Sequence, residues 1–158
     1  MHGNKNVIAA LNDGLKAELT AINQYFLHGE MCQNWGYHRL YAVTKKHSIE
    51  EMKHAEELIE RLLFLEGEPK MAETLPLKIG ASVKAQLEND LALEIGAVAA
   101  YNAAIKVCAE AGDAASRELF EDLLDDEEGH VDWLETQLHQ IGEVGLDRYL
   151  SQQIRKDE

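Results

Sequence analysis

Apolar residues recur along most of the chain at steps of three and four, the period of an amphipathic helix. Both prolines fall within 67–80, and glycine-bearing turns interrupt the pattern near 34–36, 111–113 and 142–145. These breaks predict five helices at about 5–34, 38–66, 82–111, 114–142 and 147–156. No segment shows the period of two that is typical of a strand.

The lengths of the connections predict how the helices pack. Short turns join the first helix to the second and the third to the fourth, so each pair is expected to form an antiparallel hairpin. The one long connection, around 67–80, must then cross the bundle. The pattern predicts an all-α fold, an antiparallel four-helix bundle with a long crossover between helices 2 and 3 and a short fifth helix. A length of 158 residues indicates a single domain spanning 1–158.

The two predicted hairpins carry the same pattern, displaced by one constant offset. One face of the first helix presents Leu11, Leu15, Glu18, Ile22 and Tyr25. The matching face of the third helix presents Leu87, Leu91, Glu94, Val98 and Tyr101. Glu51 and His54 in the second helix recur at the same offset as Glu127 and His130 in the fourth. The chain therefore contains an internal duplication.

A glutamate in the middle of an apolar stripe is costly to bury unless a cation neutralises it. Each half places such a glutamate at the same distance before a Glu-x-x-His motif, so pseudo-twofold packing would bring four carboxylates and two imidazoles to one level of the core. Two divalent cations would balance that charge, and this donor set suits iron or manganese better than structural zinc. The predicted metal ligands, which are also the predicted catalytic residues, are Glu18, Glu51, His54, Glu94, Glu127 and His130. Glu18 and Glu94 are predicted to be terminal ligands, and Glu51 and Glu127 to bridge.

Other polar and aromatic side chains have weaker sequence signals. Aromatic residues near the motifs could donate electrons or hydrogen bonds, although at helical spacing they usually fill a core; they are Tyr25, Tyr101 and Trp133. The histidines without a paired spacing, expected to be surface or satisfied core residues, are His28, His38, His47 and His139. The acidic run at 121–128 is expected to be solvent-exposed apart from its ligand.

The charge and composition of the sequence limit the classes of partner that the protein is expected to bind. A formal net charge of −14 argues against binding to a phosphate backbone and favours cations, although an acidic surface also serves solubility alone. No uninterrupted apolar run is long enough for a membrane span, and the first residues resemble no export signal. Cys32 and Cys108 lie too far apart in sequence to suggest a cysteine zinc site or a disulfide framework. The sequence therefore predicts no nucleic-acid partner, no membrane association and a cytoplasmic location.

Around these residues the sequence resembles the bacterioferritins, the haem-containing branch of the ferritins, from Met1 to about Ile154. Two glutamates with two Glu-x-x-His motifs are the arrangement of ferritin-like di-iron proteins. The stretches that carry the resemblance, beside Glu18, are AINQYFLH at 21–28, SIEEMKHA at 48–55, IER at 59–61, FLEG at 64–67, DLALE at 90–94, DEEGHVDWLET at 126–136 and GLDRYL at 145–150.

The resemblance implies iron storage in a hollow homo-oligomer of 24 subunits built from dimers. Each subunit would hold two iron ions and oxidise Fe(II) with dioxygen or peroxide, and ferric mineral would accumulate inside. The resemblance also implies a haem b shared between two subunits, and release of iron with electrons from a bacterioferritin-associated ferredoxin. Some members have a histidine where this chain has Lys46, as part of an accessory iron site on the cavity side, so Lys46 departs from that pattern; Glu50 and His47 remain candidates to attract iron there.

Met52 lies between two predicted ligands but is expected to face elsewhere. Consecutive helical positions are about 100° apart, so Met52 should point sideways out of the bundle. From its position alone, an apolar contact is commoner than haem ligation. The resemblance implies that Met52 of each of two subunits is an axial ligand of the shared haem.

Two other functions fit parts of the same sequence. A rubrerythrin-like peroxidase would use the same fold and di-iron site, but its usual rubredoxin domain needs paired C-x-x-C motifs that this chain lacks. A haem-carrying structural shell subunit would leave the metal site idle, and the complete ligand set argues against that function.

Overall fold

The computed structural model describes residues 1–156, and within that range the predicted all-α fold is confirmed. The five helices are α1 (Lys5–Asn34), α2 (His38–Phe64), α3 (Val83–Glu110), α4 (Ala114–Val144) and α5 (Leu146–Ser151). Side chains accept backbone hydrogen bonds at three helix starts: Asn4 caps α1, Ser82 caps α3 and Asp113 caps α4. These caps explain why the helices begin close to the predicted positions.

The helix ends differ slightly from the prediction. α2 stops at Phe64, just before Glu66, whose φ of 61° takes the chain out of the helical region. α4 continues to Val144 and ends at Gly145, where φ is 88° and glycine meets little steric cost. α5 is shorter than the predicted 147–156. Its last turn is closed by the buried Gln153, whose side-chain amide donates to the carbonyl of Tyr149.

Contacts between the helices define the topology of the bundle. Tyr25 of α1 meets Glu94 of α3 while Tyr101 of α3 meets Glu18 of α1, so α1 and α3 run antiparallel. α1 and α2 form one antiparallel hairpin, and α3 and α4 form the other. α2 and α3 therefore run in the same direction, and the segment that connects them must travel the length of the bundle.

The crossover, residues 65–82, follows α1 and is held by a row of its side chains. Four backbone N–H groups of the crossover each donate to an acceptor on α1, at 2.9–3.1 Å. The acceptors are Asn12 for Lys70, Thr20 for Leu75, Gln24 for Lys78 and His28 for Gly80. These bonds satisfy a segment that has no partner strand or helix of its own.

The core consists of two apolar clusters, one toward each end of the bundle. The first includes Leu11, Leu58 and Phe120, and the second includes Leu87, Leu134 and Tyr149. α5 joins the second cluster through Tyr149, whose hydroxyl donates to Gln137 at 2.7 Å. The buried polar residues of the duplicated motifs occupy the layer between the two clusters.

α3 is the most apolar of the long helices. Within residues 1–156, α3 is the one helix long and apolar enough to cross a membrane, judged by length and composition alone. Core helices of soluble proteins also meet this criterion. The centre of α3 carries Glu94, which is 1% exposed and hydrogen-bonded to Tyr25 of α1. Glu94 lies on the buried face of α3, although only 28% of the most apolar stretch of this helix is buried within the subunit.

Candidate metal centre

The six residues of the duplicated motifs lie together in the polar layer. α1 and α3 each contribute one glutamate, and α2 and α4 each contribute a Glu-x-x-His pair. Glu18, Glu51, Glu94 and Glu127 are at most 1% exposed. His54 and His130 are 5% and 7% exposed. The structure thus brings together all six side chains that the sequence predicted as metal ligands.

The donor atoms divide into two groups, one around each imidazole. His54 Nδ1 is 2.9 Å from Glu127 Oε1, and 3.6 Å from both Glu18 Oε2 and Glu51 Oε1. His130 Nδ1 is 3.0 Å from Glu51 Oε1, 3.3 Å from Glu127 Oε2 and 3.7 Å from Glu94 Oε1. Glu51 and Glu127 belong to both groups, whereas Glu18 and Glu94 each belong to one.

Several donor atoms of this centre have no hydrogen-bond partner within residues 1–156. They are Glu18 Oε2, Glu51 Oε1, Glu94 Oε2, Glu127 Oε2 and His130 Nδ1. His130 Nδ1 and Glu51 Oε1 are 3.0 Å apart, but their orientation is not that of a hydrogen bond. Buried polar atoms are normally satisfied, so unpartnered atoms that converge on one layer fit a pair of metal ions.

Two tyrosines donate hydrogen bonds to Glu18 and Glu94, the glutamates that each belong to one group of donor atoms. Tyr25 of α1 donates to Glu94 Oε1 at 2.6 Å, and Tyr101 of α3 donates to Glu18 Oε1. Burial and the surrounding carboxylates raise the pKa of both tyrosines well above the ordinary value, which keeps the phenols protonated as donors. Each tyrosine leaves the other oxygen of its glutamate without a partner, so it orients the carboxylate.

Two partly exposed carboxylates form hydrogen bonds with the imidazole rings of His54 and His130. Asp126 Oδ2 is 2.9 Å from His54 Nε2, and Glu50 Oε2 is 2.7 Å from His130 Nε2. A carboxylate on one ring nitrogen fixes the tautomer and leaves the other nitrogen for a metal. The sequence pattern placed Asp126 in an exposed run and gave Glu50 no such role. The duplication could have identified them, because Glu50 and Asp126 immediately precede Glu51 and Glu127 and share their offset.

The ionisation of the centre reflects its crowded charges. Burial, together with Glu18 and Glu94, raises the pKa of Glu51 well above its ordinary value. Burial and the hydrogen bond with Glu127 raise the pKa of Glu94 to about 8. Burial alone would lower the imidazole pKa values, but hydrogen bonds to Glu127 and other carboxylates raise those of His54 and His130 to about 11. Without metal, protons supply the positive charge that the glutamates need.

A surface depression of about 430 Å³ lies over the two imidazoles, between α2 and α4. Its lining includes the carboxylates of Glu50, Glu57, Asp125 and Asp126, and a single lysine, Lys53. Acidic walls attract cations, so this opening offers them an approach to the centre.

The other residues considered in the sequence analysis differ in their burial and contacts. Met52 is 56% exposed on α2, facing out of the bundle as predicted. His28 is a satisfied core residue, since its Nδ1 lies 2.9 Å from Asp90 Oδ1 and its Nε2 accepts from Gly80. His38 is half-buried and His139 is exposed, and Lys46 is largely exposed.

His47 was expected to be a surface or satisfied core histidine, but it is buried with one ring nitrogen unpartnered among the described residues. It is 7% exposed, its ring centroid lies 4.5 Å from that of His130, and its Nδ1 has no hydrogen-bond partner within residues 1–156. Trp133 packs edge-on against it, with ring centroids 5.1 Å apart. Burial and His130 lower the pKa of His47 to about 4, so the ring is neutral near pH 7.

Comparisons with known proteins agree with this geometry. The family model of the ferritin-like domain matches residues 8–144. A bacterioferritin of Brucella melitensis is 48% identical over 149 residues, which cover 94% of this chain and 92% of the relative. Bacterioferritins of Rhodobacter capsulatus and Mycolicibacterium paratuberculosis are 46% and 42% identical, over 92% and 96% of this chain and 90% and 96% of the relatives.

The match to the ferritin-like domain covers most of the chain and fits a four-helix bundle with a buried carboxylate and histidine cluster. Together with the full-length similarity to several relatives, it places the chain within that class. The chain belongs to the bacterioferritin family.

Proposed function

We propose that this protein stores iron and that each subunit oxidises Fe(II) at a di-iron centre, with dioxygen or peroxide as oxidant. The observation that carries the proposal is the convergence of four buried glutamates and two histidines whose unpartnered donor atoms face one another. Family membership supports iron storage in a homo-oligomer. The 24-subunit shell and the cytoplasmic location belong to the proposal, as does a single domain spanning 1–158, whose last two residues lie outside the described range.

Each ligand has a proposed position. Glu18 and His54 would hold one iron, and Glu94 and His130 would hold the other. Glu51 and Glu127 would bridge, because they alone belong to both groups of donor atoms. Hard carboxylate oxygens with one imidazole per metal match iron and leave open positions for an oxidant.

Bound there as substrate, two Fe(II) ions would supply one electron each; dioxygen would take two electrons and two protons to give hydrogen peroxide, and peroxide would take two electrons and two protons to give two waters. The residues of the chain set the conditions for this step. Tyr25 and Tyr101 orient the terminal carboxylates, and Asp126 and Glu50 orient the imidazoles. The apolar clusters above and below keep bulk water away from the centre.

A second cofactor forms part of the proposal. Met52 of two subunits would ligate one haem b across a twofold interface, since a thioether sulfur is a suitable axial ligand and an isologous contact supplies both ligands from one residue type. The exposure of Met52, 56%, supports a role on the surface of the subunit. A bacterioferritin-associated ferredoxin would deliver electrons to this haem for iron release.

The amount of Fe(II) that each subunit oxidises tests the proposed function and separates it from a rubrerythrin-like peroxidase and from an idle structural subunit. Purified metal-free protein is mixed anaerobically with Fe(II) and then exposed to dioxygen, with oxidation followed by absorbance and oxygen uptake. Iron storage predicts that oxidation continues far beyond two Fe(II) per subunit. A rubrerythrin-like peroxidase predicts that oxidation stops once the centre is filled, and an idle structural subunit predicts no fast oxidation at all.

Asp126, which forms a hydrogen bond with His54 Nε2, allows the metal affinity of the centre to be weakened without removing a ligand. Asp126→Asn keeps an acceptor near His54 Nε2 but removes the charge that makes the imidazole a stronger ligand. Loss of such a partner typically lowers metal affinity about 10–100-fold. We expect a fall of this size in anaerobic Fe(II) titrations of the Asp126→Asn protein.

The matched control is Asp122→Asn, an exposed aspartate one turn earlier on α4. It should bind Fe(II) with wild-type affinity. Equal affinity in both variants would show that Asp126 does not support the metal centre.

A further inference from the structure

Beside the candidate metal centre lies a group of buried polar side chains that the internal duplication does not repeat. The group, called here the α1–α3 clamp, consists of Gln24, His28 and Asp90, each at most 3% exposed. Their counterparts at the same offset, which have no polar side chains, are Ala100, Ala104 and Gly14. The ligands, tyrosines and supporting carboxylates of the centre are all repeated, so the clamp distinguishes one half of the centre from the other.

The α1–α3 clamp joins the two helices through one carboxylate oxygen. Gln24 Nε2 donates to Asp90 Oδ1 at 2.8 Å, and His28 Nδ1 lies 2.9 Å from the same oxygen. The N–H of Gly80 donates to His28 Nε2, which assigns the lone pair to Nε2 and the proton to Nδ1. His28 is therefore a second donor to Asp90.

The same two side chains of α1 also bind the crossover. Gln24 Oε1 accepts from the N–H of Lys78, and His28 Nε2 accepts from that of Gly80. Each side chain thus contacts α3 with one end and the crossover with the other. A side chain would not fit at Gly80, because an added Cβ would lie 2.3 Å from the backbone nitrogen of Gln86. Three segments of the chain therefore meet closely at the clamp.

The α1–α3 clamp lies next to the hydrogen bond that orients Glu94. Gln24 and His28, one turn apart on α1, flank Tyr25 in sequence. Asp90 precedes Glu94 by one turn on α3. Tyr25 donates to Glu94 Oε1 at 2.6 Å, and this bond requires α1 and α3 to keep their relative position. The clamp fixes that position one turn away.

The other half of the centre is built without a clamp. Its corresponding contact is the hydrogen bond from Tyr101 to Glu18. At Gly14, the position equivalent to Asp90, an added Cβ would lie 3.2 Å from a ring carbon of Tyr101. The tyrosine ring therefore occupies the space that a polar side chain would need. The two outer glutamates are held in different ways.

We propose that the α1–α3 clamp positions Glu94, and with it the metal ion that Glu94 and His130 would hold, without supporting the ion on the Glu18 side. The inference rests on the proposed function, because it assumes one metal ion at each position. The clamp residues are not ligands; they act through the spacing of α1 and α3 and through the bond from Tyr25 to Glu94. Loss of the clamp therefore weakens one metal position selectively.

The test measures both metal positions in the same crystal. Crystals of the full-length wild type, Asp90→Ala and Asp90→Asn are soaked in limiting cobalt(II) chloride, since Co²⁺ binds the same donor types, and anomalous difference maps are measured at the cobalt edge. Alanine removes the oxygen that accepts from Gln24 and His28. Asparagine also removes the charge of Asp90 but keeps an accepting oxygen at the same reach.

In Asp90→Ala, we expect the ratio of the peak beside His130 to the peak beside His54 to fall about tenfold, the low end of the loss that follows removal of a supporting partner. Asp90→Asn should keep the wild-type ratio, because its amide oxygen still accepts both hydrogen bonds. His28→Ala leaves Gln24 bound to Asp90 and should shift the ratio less, in the same direction. It provides the test if Asp90→Ala does not fold.

Ser116→Ala is the control for a general loss of stability. Ser116 is fully buried about three turns before Glu127 on α4, where its hydroxyl donates to Asp113 and accepts from Arg61. The ratio of the two peaks should not change in this variant.

The proposal is overturned if both peaks fall together in Asp90→Ala, or if their ratio stays at the wild-type value. It is also overturned if Asp90→Asn matches Asp90→Ala, because the charge of Asp90 rather than its hydrogen bonds would then be responsible. Absence of both peaks from the wild-type protein would instead contradict the proposed function.

Discussion

Glu94→Ala is expected to abolish the fast phase of Fe(II) oxidation, lowering its rate by at least about 100-fold. Glu94 would be the terminal carboxylate ligand of one iron. In the group of donor atoms around His130, it is the one buried glutamate that does not also belong to the group around His54. The bundle should remain folded, because Glu94 belongs to neither of the two apolar clusters that form the core. Removing one of four clustered carboxylates also relieves repulsion in the metal-free protein. Stopped-flow absorbance measures the oxidation, and circular dichroism measures the helix content.

The matched control for this variant is Glu88→Ala. Glu88 lies on the same helix but is exposed, where it pairs with Lys84. It should oxidise Fe(II) at the wild-type rate. Wild-type oxidation in Glu94→Ala would show that the centre has been assigned to the wrong residues. Glu18→Ala and His130→Ala are expected to behave like Glu94→Ala.

Met52→Leu is expected to remove bound haem completely while leaving Fe(II) oxidation unchanged. Leucine has nearly the same volume as methionine but no sulfur to bind the haem iron. The di-iron centre should not be affected, because Glu51 is 1% exposed whereas Met52, the next residue, is 56% exposed on another face of α2. The haem absorption of the purified protein, relative to its protein concentration, measures the loss.

Met71→Leu provides the control for haem binding. Met71 lies in the crossover and is 55% exposed, so it presents the same chemistry at nearly the same exposure. It should purify with the wild-type haem content. A full haem complement and an unchanged spectrum in Met52→Leu would rule out Met52 as the axial ligand.

The sequence predicted the helices and the six candidate ligands because both follow from regular spacing. Apolar residues at helical steps define the stripes, and a duplicated glutamate in the middle of a stripe has few explanations other than a shared polar site. Glu50 and Asp126 follow from the same duplication, yet their roles were missed because each is partly exposed and lies next to a stronger candidate.

Features that depend on contacts between distant segments could not be predicted. The crossover has no periodic pattern, and its anchoring by Asn12, Thr20, Gln24 and His28 depends on its course along α1. α5 ends at Ser151 without a helix-breaking residue, and the buried Gln153 that follows it donates to the carbonyl of Tyr149. His47 has no repeated partner, so only the packing of α2 against α4 shows that it meets His130.

Iron storage by a di-iron subunit is the central claim, and iron loading under air tests it most directly. The metal-free protein is given Fe(II) in steps and passed over a size-exclusion column, where protein mass and ferric iron are measured in the same peak. The proposed function predicts an assembly of 24 chains that carries ferric iron far in excess of two ions per chain. A stable dimer that retains no more than the ions of its metal sites, with the remaining iron precipitated outside the protein, would contradict it.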